Sequence, residues 1–161
     1  MNATFDHLYF LRKCIKISES SKANGNTPFG CLIVDANGEI IIEHENIELT
    51  EKKCTGHAET AAMEYVSKRY SKEFLWKCTL YTTAEPCVMC SGAIYWGNLG
   101  RVVYGISEEK LLELTGNNEI NPTFDLPCRE IFKRGQKQIE VVGPFPQIEK
   151  EVIGVHKDYW Q

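Results

Sequence analysis

The chain has 161 residues, 43% of them hydrophobic and 25% charged, with a formal net charge of −4. That length predicts one domain over residues 1–161, and the ordinary composition excludes wholesale disorder and collagen-like repeats. No run approaches the roughly 18 apolar residues of a membrane span, and residues 1–6 show no secretory signal. Seven cysteines without such a signal point to reduced thiols in the cytoplasm and against a disulfide scaffold.

Apolar residues recur at Phe5, Leu8, Leu11 and Ile15, which predicts a helix over 5–22 capped by Thr4 and ended at Asn24-Gly25. Two β-rich runs, 30–34 and 39–46, flank an Asn37-Gly38 turn and read as a hairpin. After a polar loop, Thr55 is placed to cap a helix over 57–68. Residues 79–83 read as a strand, and Pro86 suits the first turn of a helix running to Trp96 and stopped at Gly97. A strand over 101–105 and a short helix capped by Ser107 follow. Beyond a loop containing Pro and Asn come a brief helix from Pro127 to Arg134, a strand over 138–142 and a terminal helix over 147–159. Strands alternating with helices predict a three-layer α/β/α domain around a mixed sheet of about five strands, the last two parallel.

Two segments carry chemistry: His57-Ala58-Glu59 and Pro86-Cys87-Val88-Met89-Cys90, each at an expected helix start. One imidazole nitrogen and two thiolates form a borderline-soft ligand set suited to Zn²⁺. Cys87 and Cys90, three apart, share a helix face, and the positive helix end favours their thiolates. Three protein ligands leave a fourth position for water, whose pKa zinc lowers to about 7. Glu59, two residues from His57, is better used as a proton carrier than as a ligand. Taken singly, a Cys-x-x-Cys could be redox-active or structural, and His57 or Glu59 could be an ordinary helix residue. The joint pattern is that of a zinc deaminase.

These motifs resemble the cytidine and deoxycytidylate deaminase superfamily, and within it the nucleoside, guanine and tRNA-adenosine deaminase branch. The resemblance runs over about 28–105 and more loosely over the whole chain. It implies one zinc per subunit on His57, Cys87 and Cys90, Glu59 as general acid/base, and a homodimer. The block from Thr83 to Ile94 looks like the purine-acting branch. The resemblance further places Asn46, Phe29 and Ala58, with backbone groups of Ala84 and Glu85, against the substrate. Phe29 reads equally as a base-stacking or a core residue, and Asn46 alternatively as a strand-end turn. The aromatic tail ending Tyr159-Trp160-Gln161 resembles tails that close over such sites, from the same or the partner subunit; anchoring the terminal helix is the other reading. Cys54 reads as loop or pocket wall, and Cys14, Cys31, Cys78 and Cys128 as core thiols.

The expected substrate is a purine-like nucleobase or nucleoside, as in guanine deaminase-like members; a tRNA adenosine deaminase is the alternative. Residues 147–161 carry Lys150 and Lys157 against Glu149, Glu151 and Asp158, so no phosphate-binding surface stands out. Lys53-Cys54-Thr55-Gly56 stands where guanine deaminases tend to have an Asp-Pro-Thr-Ala run. Residues 117–126 do not match their specificity segment, though Glu119 or Asp125 could supply a carboxylate there.

Overall fold

The first helix, α1 (His7–Ala23), is capped by Asp6, whose side chain accepts from the Tyr9 amide. Thr4, the expected cap, lies outside residues 5–161, which the computed structural model describes. The buried face of α1 carries Leu11, Cys14, Ile15 and Ser18, the residues of the helical apolar pattern and their neighbours. The hairpin forms as read, with β1 (Gly30–Val34) paired to β2 (Ile40–Glu45) around the Asn37-Gly38 turn. α1 lies so close to β1 that a Cβ on Gly30 would come within 2.7 Å of the Cys14 carbonyl.

Next come α2 (Ala58–Ser67), a short α3 (Lys72–Trp76), β3 (Thr79–Ala84), α4 (Val88–Trp96) and β4 (Arg101–Ile106). After them stand α5 (Glu108–Thr115), α6 (Cys128–Lys133), β5 (Glu140–Val142) and α7 (Glu149–His156), the last preceded by one 3-10 turn. The sheet has the order β2-β1-β3-β4-β5; the hairpin is antiparallel, while β3, β4 and β5 are parallel. This is the expected mixed five-stranded sheet with its last two strands parallel.

Helices cover both faces. Along β1, Cys31 and Ile33 enter one core with residues of α2, α3, α4 and α6, whereas Leu32 and Val34 enter the other with α1, α5 and α7. A strand buried on both faces reads as the unbroken apolar run seen in β1. No helix among the described residues is long and apolar enough to cross a membrane.

Three expectations need correction. α3 was not anticipated, although Ser71 caps it by accepting from the Phe74 amide. β5 spans three residues instead of the expected five. The terminal helix stops at His156 rather than Tyr159, because Lys157 leaves helical geometry and Asp158 adopts φ 60°.

Candidate active site

The register brings four chain segments to one edge of the sheet. Gly30 pairs with Glu45 and Cys31 with Thr82, so the start of β1, the end of β2 and the end of β3 coincide. Ala84 lies beside Ile106, which adds the end of β4. The carboxyl ends of parallel strands, with helix N-termini just beyond, are where α/β sheets form binding crevices.

His57 and Cys87 occupy N-cap positions of α2 and α4, and neither side chain caps its helix. Both are therefore free to turn towards each other. His57 Nδ1 lies 3.4 Å from Cys87 Sγ and 3.7 Å from Cys90 Sγ, and all three ligand atoms fall within 4.8 Å of one another. A tetrahedral zinc with Zn–S of about 2.3 Å and Zn–N of about 2.05 Å sets its N and S ligands about 3.6 Å apart. The trio fits that ion. Cys90 donates to the Cys87 sulfur and, against the opposing effect of burial, holds its thiol down at about 4; burial and the Cys87 thiolate push Cys90 well up. Burial would lower His57, but the Cys87 thiolate, with help from Glu59 and Glu48, raises it to about 9.

Glu59, on the first turn of α2, is 6% exposed. The Thr82 hydroxyl donates to its Oε1, and its Oε2 lies 3.5 Å from Cys90 Sγ. Burial raises its pKa, opposed by the Thr82 bond. A carboxyl so held, beside the trio but outside it, suits proton transfer.

A cavity of about 280 Å³ opens over this group. Phe29, Asn46, His57, Glu59, Ala84, Glu85 and Cys87 all line it, as does Cys54. Ala58 and Trp160 do not: Ala58 is wholly buried in the core, and Trp160 donates from Nε1 to His156 Nδ1 and lies behind Phe29, 6.2 Å away. Phe29 packs edge-on against His156, so the tail buttresses the cavity wall from outside within this chain. Glu119 and Asp125 also lie off the cavity wall, which residues 120–124 supply instead.

Two predicted residues have side-chain roles that differ from those expected. Asn46 Oδ1 accepts from the Glu48 amide, which fixes the side chain and leaves its NH2, unbonded among the described residues, beside the cavity. Glu85 was expected to act through its backbone. Its carboxylate accepts from Glu108 N at 2.9 Å and Cys128 N at 2.8 Å, tying the starts of α5 and α6 to the turn before Cys87.

Glu48, Met89, Glu108 and Leu111 also line the cavity and were not anticipated. Position at a strand's carboxyl end was the available signal for Glu108, which follows β4 by two residues. Glu48 had none. Its Oε2 lies 3.5 Å from His57 Nε2, on the ring side opposite the sulfurs. A carboxylate behind a metal-binding imidazole fixes its tautomer and orientation, and its loss costs roughly 10–100-fold in metal affinity. Chelator competition on Glu48→Ala is therefore expected to show about a tenfold or greater weakening of zinc binding, with unchanged affinity arguing against this contact.

The cytidine and deoxycytidylate deaminase zinc-binding region matches residues 5–106, spanning every one of these ligand and proton-transfer positions. The chain belongs to that family. A probable cytosine deaminase of Schizosaccharomyces pombe is 42% identical over 153 residues, 95% of this chain and 91% of that protein. The tRNA-specific adenosine deaminase of Haemophilus influenzae is 35% identical over 100 residues, 62% of this chain and 58% of its own length. The guanine deaminase structure from Bacillus subtilis superposes with a TM-score of 0.61 at 27% identity, covering 93% of this chain and 92% of that one.

Proposed function

We propose that this deaminase releases ammonia hydrolytically from a small nucleobase or nucleoside, with a purine-like ring as the substrate class read from the sequence. His57, Cys87 and Cys90 would hold zinc, which when bound lowers the pKa of a coordinated water towards neutrality. Glu59 accepts one proton from the water side and delivers it to the ring nitrogen, then takes the second from the newly attached hydroxyl and delivers it to the departing amine. The balance is one water consumed and one ammonia released: a C–O bond forms at the ring carbon and its exocyclic C–N bond breaks. Thr82 keeps Glu59 turned to that task.

The lining of the cavity carries the choice of a small substrate. Four glutamates, Glu48, Glu59, Glu85 and Glu108, line it, and no Lys or Arg does. Such a wall has no Lys or Arg to hold a phosphate backbone, whereas the apolar surfaces of Phe29, Leu111, Ile120 and Phe124 suit a neutral ring. Cytosine is the second reading, favoured by the relative from Schizosaccharomyces pombe, which is similar along nearly its whole length. An ammonia-release screen of guanine, adenine, cytosine and their nucleosides, beside tRNA scored for inosine, tests the proposal. Turnover of a free base or nucleoside supports it; robust inosine formation with no small-molecule turnover overturns it.

A further inference from the structure

Glu108 sits at the first position of α5, directly after β4, and is 2% exposed. It lines the cavity, yet its carboxyl receives no hydrogen bond from any described residue, and Oε2 is sealed from solvent without a partner. Its neighbours do not supply one. Lys110, on the same helix, is turned to Glu113 and Glu149, and the Glu108 amide is already committed to Glu85. A buried carboxyl without a donor costs free energy in the folded protein. A group in that condition at a cavity wall calls for a partner, an ordered water or a molecule entering the cavity.

Resting on the small-substrate reading above, we propose that Glu108 is a specificity-determining residue that accepts a hydrogen bond from a ring N–H of the substrate. The cavity then presents two complementary functions. Asn46, its oxygen already accepting from Glu48 N–H, offers its NH2 to a ring carbonyl or imine nitrogen. Glu108 offers an acceptor, which it retains in either protonation state. Heterocycles with a free ring N–H are therefore preferred over derivatives alkylated at that nitrogen, whether by methyl or by ribose.

The test measures dissociation constants on zinc-loaded protein carrying Glu59→Gln to stop turnover. The ligands are cytosine with 1-methylcytosine, and guanine with its 1-, 7- and 9-methyl derivatives. With Glu108 present, methylation of one ring nitrogen is expected to weaken binding roughly tenfold to a hundredfold. Glu108→Leu, similar in bulk, removes most of that discrimination, and Glu108→Gln keeps part of it through its carbonyl. Without ligand, Glu108→Leu raises the thermal midpoint by about 2–4 °C, because an unpartnered buried polar group is gone. An unchanged methylation penalty in Glu108→Leu, or a fall in its midpoint, overturns the assignment to Glu108 alone. Failure of every base to bind the parent protein instead overturns the proposed substrate class and the assignment with it.

Discussion

Glu59→Gln is expected to lower the turnover number for ammonia release by roughly 10²- to 10⁴-fold, the contribution of a positioned general acid/base, while zinc content stays at the wild-type level. The two halves of that result come from different atoms. The ligand atoms of His57, Cys87 and Cys90 are complete without Glu59, whose nearest approach to them is Oε2 at 3.5 Å from Cys90 Sγ. Glutamine keeps an oxygen for the Thr82 hydroxyl and keeps the buried volume, but it cannot carry a proton between water and amine. Steady-state rates with parallel elemental analysis check this. Loss of zinc with the rate would make Glu59 a ligand or a structural prop; an undiminished rate would remove it from the chemistry.

Glu85→Ala is expected to be the most destabilising change at the site. It strips the acceptor from two buried amides, Glu108 N and Cys128 N, that open α5 and α6. Leaving a buried donor unsatisfied costs about 1–3 kcal/mol each, so the sum is about 2–6 kcal/mol. For a chain of this size that corresponds to a fall of roughly 5–15 °C in thermal midpoint. Because α5 also carries Glu108 and Leu111 on the cavity wall, the Michaelis constant is expected to rise at temperatures where the variant remains folded. Calorimetry or circular dichroism reads the first effect. A shift within about 2 °C, no more than 1 kcal/mol produces at this size, would mean that water replaces the carboxylate and that Glu85 does not brace these helices.

How much of this was legible beforehand depended on whether a residue's role is local. His57, Glu59, Cys87 and Cys90 carry spacing that follows from the first turns of two helices, and the structure gathers them as that spacing requires. The hairpin and the parallel β3–β4 pair likewise follow from apolar runs and turn residues, which are short-range signals. The roles of Glu85 and Glu108 depend on partners 23 to 43 residues away or on the lack of any partner, and that of Glu48 on the loop that turns it to His57; no local pattern announces these. Asn46 illustrates the intermediate case: its position at the cavity was readable, but the bond its oxygen accepts from the Glu48 amide was not. The aromatic tail was readable as a feature near the site. The chain breaks from the helix at Lys157 and Asp158 and brings Trp160 against His156 and beside Phe29, and Trp160 is not among the residues that line the cavity.

The claim that His57, Cys87 and Cys90 form a single catalytic zinc site is tested most directly by adding zinc to metal-stripped protein while ammonia release from its best base or nucleoside is followed. The account predicts negligible activity at the start, a linear rise, and a break at one zinc per chain. Full activity in the stripped protein, or a rise that continues past one equivalent, would contradict it.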